Sequence, residues 1–500
     1  MPRRIIAGIR SLSVLALSFV ISGCIGTHGI QPQGSTLPAD SLAVDEAIAR
    51  ADGDAGWPSG QWWRAYADPQ LDRLIALALQ GSPSLAIAAA RVRQAKSLAG
   101  LAESAESVQV QGSASLMRHD WPTDQFYGPG ALANSHTWDN NAALGLSYPL
   151  DFWDQDRNAT ERALDRAHAS AAQERQAQLE LQENIVRAYI QLSLDYAQRD
   201  IAQATLAQQT QLLELAERRL KGGLGTHLEV SQAQSLLPET HRQIDALDEA
   251  IALGRNQLAA LAGKGPGEAV AAQRPTLSLE AKIGLPSRLP AQLLGQRPDV
   301  VASRWEVAAQ ARGIDVAHAG FYPNVDLTGS LGYMATGGGM LEFLTGKKLT
   351  YKVGPAISLP IFDGGRLRAE LGEASAGYDL AVAQYNQTLV MALKNVSDQL
   401  IRRESIEKQQ QFAAQSVAAA QKTYDIAMVA YRRGLTDYLN VLNAQTLLFR
   451  QQQVQQQVEA VRLSVYAGLV VALGGGLAAG DDTPAPAQMQ APKTPAVLDR

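Results

Sequence analysis

The sequence predicts a mixed α/β membrane protein made of one unit written twice and completed only when several copies of the chain assemble. Three observations carry this prediction. The first is an internal duplication: YRRGLTDYLNVLNAQTLL (Tyr431 to Leu448) answers RLKGGLGTHLEVSQAQSLL (Arg219 to Leu237) at an offset of 211 positions, the separation of Gly434 from Gly223. Leu435 falls on Leu224, Leu439 on Leu228, Val441 on Val230 and Leu447-Leu448 on Leu236-Leu237. The second is a set of four runs that alternate apolar and polar residues at strand period. The third is a pair of very long helical runs with no breaker inside them.

Each element follows from local signals. Met1 to Gly23 reads as an export signal, with Arg3 and Arg4 before the apolar run Ile5 to Ile21. It ends Ile21-Ser22-Gly23-Cys24, which resembles a bacterial lipobox, so Cys24 is expected to carry lipid; an ordinary signal with a chance cysteine is the plainer alternative. Cys24 is the one cysteine, so no internal disulfide is possible. Residues 24–66 read as a lipidated tether ending in Trp57, Trp62, Trp63 and Tyr66, a cluster expected to anchor the tether rather than bind a ligand.

The first repeat is placed at 67–263. Asp68-Pro69 opens a helix and Ser82-Pro83 a second, to about Ala102. A β-hairpin covers about 108–150: Val108, Val110, Gly112, Ala114 and Leu116 alternate with Gln109, Gln111, Ser113 and Ser115, and Leu144, Leu146 and Tyr148 resume the pattern. Arg118 to His136 reads as the loop between them. Asp154 to Leu220 is one helix of roughly 65 residues, about 100 Å long. A tip at about 222–226 precedes a return helix, His227 to Leu261, with Ile244, Ile251 and Leu258 at heptad spacing. Pro238 is expected to kink or break it.

Residues 264–290 are a Gly/Pro-rich connector, and 291–473 repeat the order. Pro298 opens a helix to Ala319, a hairpin spans about 325–361, and Phe362-Asp363-Gly364-Gly365-Arg366 turns into the second long helix. The second tip lies at about 434–437, and Tyr438 to Leu473 returns. Residues 474–500 read as a disordered tail.

Four strands of spanning length cannot close a barrel alone, since the smallest closed membrane barrels have about eight. An open edge in hydrocarbon leaves unpaired backbone groups, each costing several kcal/mol. Either these strands lie outside a membrane or several chains pool them, and long thin-seamed helices in a chain only 6% aromatic likewise need neighbours.

The lipobox, the twofold helix–hairpin–long-helix order, LPIFDGGR (Leu359 to Arg366) and YRRGLTDYLNVLNAQ (Tyr431 to Gln445) together resemble the outer-membrane factor family, in its TolC-like, NodT-type lipoprotein branch. The resemblance implies a homotrimer: a 12-stranded outer-membrane β-barrel, four strands per chain, over a periplasmic α-helical barrel. It implies docking to a periplasmic adaptor and an inner-membrane transporter, and an exit channel for drugs or other small molecules. By the same resemblance Leu439 and Asn443 match the aperture, Tyr431 is a latch candidate, and Asp437 and Glu229 supply charge at the entrance. Asn443 stands where family members commonly place an acid. The adaptor-contact tips are Gly223-Leu224 and Gly434-Leu435. Plain seam packing for Leu439 and plain helix termination for the glycines are the simpler readings.

No catalytic constellation, metal-ligand spacing or phosphate loop is present in the sequence, and no cofactor or enzymatic activity is expected. A net charge of −5 argues against nucleic acid as a partner. Two alternatives stay open: a type I protein-secretion channel with the same fold, and a lipid-anchored periplasmic coiled-coil scaffold.

Overall fold

A computed structural model describes residues 27, 29–38, 42, 58–123, 132–266, 273–279, 297–476 and 486–490. The first half contains α1 (Pro69–Gly81), α2 (Pro83–Ala105), β1 (Gln109–Trp121), β2 (Ser135–Pro149), α3 (Gln155–Lys221) and α4 (His227–Leu261). The second contains α5 (Pro298–Ala319), β3 (Asn324–Thr336), β4 (Leu349–Ser358), α6 (Arg366–Arg432) and α7 (Tyr438–Ala472). The duplication is metrically faithful: α3 and α6 have 67 residues each, α4 and α7 have 35 each.

The long helices start where a carboxylate meets their first free N–H groups. Asp151 accepts from the backbone N–H of Gln155 (2.6 Å) and Arg157 (2.9 Å) at the head of α3. Asp363 accepts from Gly365 (2.9 Å) and Leu367 (2.8 Å) at the head of α6, which makes the Asp-Gly-Gly turn a helix start. Those two backbone bonds hold the Asp363 carboxyl below its ordinary pKa.

The four strands form one antiparallel sheet in the order β1-β2-β3-β4. Its register lines up the apolar positions of all four. Val110, Leu146, Gly329 and Val353 form one cross-strand row, and Gly112, Leu144, Leu331 and Tyr351 the next. Between them lies a polar row on the opposite face, Gln111, Gly145, Ser330 and Lys352. The large apolar residues of these rows are exposed. From Trp138 to Tyr148 is eleven residues of strand, which at the usual barrel tilt is an apolar band about 25 Å tall.

Each strand continues into a helix, so the helices inherit the strand order. Below the sheet α2, α3, α5 and α6 lie side by side, and further down α4, α3, α7 and α6 do so. The upper core packs Trp62, Trp63, Tyr66, Leu71 and Ile75 against Ile185, Tyr189 and Leu192 of α3 and Ile251 and Leu258 of α4. Trp62 Nε1 donates to Gln182 Oε1 (3.1 Å) and the Tyr66 hydroxyl to the Leu463 carbonyl (2.8 Å), so this cluster anchors the tether. Trp57 and Cys24 lie outside the described residues, as does the expected export signal.

Three expectations need correction. Strands β1 and β2 run on through the stretch expected to be loop, with Arg118 to Trp121 paired to Trp138 to Ser135. The ladder needs only backbone groups, so it continues into polar residues above the apolar band. Pro238 does not break α4, which runs uninterrupted past it; α4 packs along α3, and tertiary packing sustains a helix that has lost one donor. The tail is ordered at Pro486–Met489, a 3-10 turn whose buried Met489 accepts a hydrogen bond from the Tyr378 hydroxyl (2.8 Å).

The described part of the tether is strapped to α6. Asp379 accepts from the N–H of Gln33 (2.8 Å) and Gly34 (2.6 Å), while Asn386 accepts from Leu37 N–H (2.8 Å) and donates to the Ser35 carbonyl (3.0 Å).

Candidate functional site: the paired helix tips

Two helix reversals meet at the end of the molecule far from the sheet. Each is closed in the same way. The N–H of Gly223 bonds the Leu220 carbonyl (3.0 Å) and that of Leu224 the Arg219 carbonyl (2.9 Å); Gly434 and Leu435 do the same with Tyr431 (3.0 Å) and Ala430 (2.9 Å). Both glycines take positive φ, 71° and 75°, which a side chain would strain. The return helices are capped by Thr226, accepting from Glu229 N–H, and by Asp437, accepting from Asn440 N–H, both at 3.2 Å.

This closure pushes apolar side chains into solvent. Leu224 is 72% exposed, Leu228 66%, Leu435 76% and Leu439 51%, so both copies present the same leucine pair. Asn443, four residues beyond Leu439 and on the same side of α7, is exposed as well. Within the single chain Leu439 therefore packs in no seam. Asp437 is exposed but also engaged as a cap, its carboxylate taking a second bond from Asn440 Nδ2 (2.8 Å).

Tyr431 is fully buried, in a cluster with Leu212, Tyr424, Tyr438 and Val441. Its hydroxyl donates to Glu229 Oε2 across the two tips (3.3 Å), and its ring meets Tyr438 edge-on at 5.9 Å. Burial, and after it the Glu229 carboxylate, push the Tyr431 phenol up to about 12. Arg219 completes the junction: Nη1 donates to the Tyr431 carbonyl (3.0 Å), Nη2 to the Leu224 carbonyl (3.1 Å), and the guanidinium lies 4.6 Å from the Tyr431 ring centre.

Sequence reasoning missed Arg219, Tyr438 and Leu228. The repeat alignment held signals for two of them. Leu228 is the counterpart of Leu439, and Arg219 and Tyr431 stand opposite Ala430 and Leu220. The contact that joins the tips is thus built where the two copies differ.

Among the described residues no group of His, Cys, Asp and Glu is placed to hold a metal ion, and no single helix is long and apolar enough to cross a membrane. Residues 74–264 and 289–475 match the outer membrane efflux protein family. This chain belongs to that family. The two matched stretches correspond to the two copies of the duplication, and the efflux protein's relatives agree with the assignment. It is 55% identical over 370 residues to the fusaric acid resistance protein FusA of Burkholderia cepacia, covering 74% of this chain and 70% of FusA. It is 28% identical over 475 residues to the multidrug resistance outer membrane protein MdtP of Escherichia coli K12, covering 94% and 96%. The crystal structure of the outer membrane protein VceC from Vibrio cholerae superposes with a TM-score of 0.79 at 34% identity, covering 84% of this chain and all of VceC. The efflux protein accordingly has the outer-membrane channel fold, a β-barrel continued by a helical barrel, and its place is the outer membrane.

Proposed function

We propose that three copies of this chain form a passive exit duct, with energy supplied by an inner-membrane transporter reached through a periplasmic adaptor. The observation that carries this reading is the sheet: one face apolar across all four strands, the other polar, and β1 and β4 both with an open edge among the described residues. Closure between copies is what removes those edges. Two copies would give an eight-stranded barrel, whose interior side chains nearly fill; three give twelve strands and room for a lumen. A lipid-anchored scaffold has no use for such a sheet. Lipid on Cys24 would hold the tether at the same membrane.

At the tips, three copies of Leu439 around the axis form an apolar ring with Asn443 beside it, able to exclude hydrated solutes. Tyr431, held by Glu229 and Arg219, fixes the ring by tying one tip to the other. Gly223-Leu224 and Gly434-Leu435 face outward as adaptor contacts. Small molecules are the cargo, organic acids among them, because FusA is named for resistance to fusaric acid.

The test is the purified mature protein in detergent and in planar lipid bilayers. The expected result is a mass three times that of the chain by light scattering, and discrete ion conductance. A monomer without conductance would end the duct reading.

A further inference from the structure

Directly beneath the sheet, α3, α5 and α6 enclose a groove of about 770 Å³. Its upper edge includes Asn324 and Ser358, which are partners in the β3–β4 ladder. Both fall on the polar face of the sheet, in step with Ser330 and Lys352. The groove therefore opens toward the side that faces water in the assembled duct. Its floor is the small-residue strip Gly313 and Ala317 of α5 with the capping Gly320.

Two guanidinium groups of α3, Arg162 and Arg166, line the groove one helical turn apart. Their neighbours are paired: Arg312 with Glu161 at 2.5 Å, and Arg366 with Glu370 at 2.6 Å. Arg162 and Arg166 have no such partner among the described residues. Arg162 Nε is shut off from solvent with no acceptor, and the group lies flat on α5, where a Cβ on Gly313 would come within 3.2 Å of Cζ. Glu306 and Glu373 attract Arg162 without forming an ion pair, while partial burial and then the Arg166 charge lower its pKa. Like charges one turn apart weaken a helix. An orphaned buried donor weakens it further. Glu306 and Glu373 offset part of these costs, and an anion bound by the two guanidiniums would offset more.

We infer that this groove is a binding site for small organic carboxylates on the inner wall of the duct. Arg162 and Arg166 take the carboxylate, and the floor of α5 takes the apolar body; the placement on the inner wall rests on the duct reading above. A guanidinium presents two parallel N–H groups that match a carboxylate. The volume is within the range of small-molecule sites. Such a site suits a passive conduit, which needs binding favourable enough to admit a solute and weak enough to release it.

The experiment is a fluorine-NMR titration of the full-length mature protein in detergent with 4-fluorobenzoate, and with neutral 4-fluorobenzyl alcohol as comparison. Wild type is expected to bind the benzoate more tightly than the alcohol. Losing the charge-assisted bonds in the Arg162→Gln/Arg166→Gln variant should weaken benzoate binding about tenfold or more, leaving alcohol binding as it was. The variant is also expected to melt no earlier than wild type, because a like-charge pair has been removed. Equal benzoate affinity in variant and wild type overturns the inference, as does equal affinity of wild type for the two probes. An early-melting variant assigns the arginines to the fold and overturns it too. Conductance of wild type in bilayers, measured separately, reports on the duct reading alone.

Discussion

Tyr431 concentrates three kinds of contact in one side chain: a buried ring in the tip cluster, a hydroxyl bonded to Glu229 on the other tip, and a carbonyl bonded to Arg219. Replacing it with phenylalanine keeps the ring and deletes only the cross-tip hydrogen bond. Tyr431→Phe is therefore expected to raise the resting conductance in planar bilayers with no change in assembly; resting conductance equal to that of wild type would detach Tyr431 from the aperture. The phenol adds a pH dependence of known sign. Its folded pKa, about 12, lies above the ordinary value of 10.0. The neutral phenol is thus the form the folded tips favour, and its contribution is complete below pH 10 and lost as pH rises toward 12. Conductance of wild type should climb in that alkaline window, and this component should be missing in Tyr431→Phe. The tip glycines make a different point. Gly434 sits in an exposed reversal where an added Cβ meets nothing within 4 Å and only the local φ is strained, so Gly434→Asp is expected to leave assembly intact and abolish cross-linking to the adaptor. Normal cross-linking would assign that tip to helix termination only.

For strands, the face a residue belongs to decides its value. Leu331 lies in an apolar row near the middle of the band and Ser330 in the adjacent polar row. Leu331→Arg places a charge in hydrocarbon and should cost about 2–4 kcal/mol, read as loss of the heat-modifiable folded band from membrane fractions. Ser330→Arg should fold normally; equal damage from both would mean that the sheet has no lipid side. The helices add a second case. The tether is held on α6 by two side chains, Asp379 and Asn386, that bond backbone groups of residues 33–37. Asp379→Ala/Asn386→Ala is expected to expose that segment to protease while α6, buried elsewhere along its length, stays folded. A segment cut no faster than in wild type would show that the strap is held by other contacts.

In the assembled protein the same logic operates between copies. Each chain leaves two strand edges, a row of tip leucines and several long apolar residues on α6 and α7 unpartnered, among them Ile401, Phe412, Leu447 and Val461, all exposed. Leu447 and Val461 are two heptads apart with Val454 between them, the spacing of a helix–helix seam. Among the described residues no partner covers these positions, which fits a wall shared among copies.

Helix limits were legible because the signals that set them are local. The limits Pro298 to Ala319 and His227 to Leu261 agree with the structure to the residue, the first read from a proline start and the second from the tip before it and the heptad run within it. The one-sided strands were equally plain, since alternation is a property of neighbours in sequence. Contacts between distant segments were not: Arg219 reaching Tyr431, Met489 seated on Tyr378, the tether on Asp379, and Arg162 lying over Gly313. Nor did composition reveal how far β1 and β2 extend, because a backbone ladder does not depend on which side chains it carries. Local pattern was enough to establish the repeated unit, its strands and its long helices, because backbone sterics and hydrophobic period act over a few residues. Which charges end up paired, which tip residue bridges to the other tip, and what the termini lie against depended on packing between segments hundreds of positions apart, where a single substitution such as Arg219 opposite Ala430 changes the outcome.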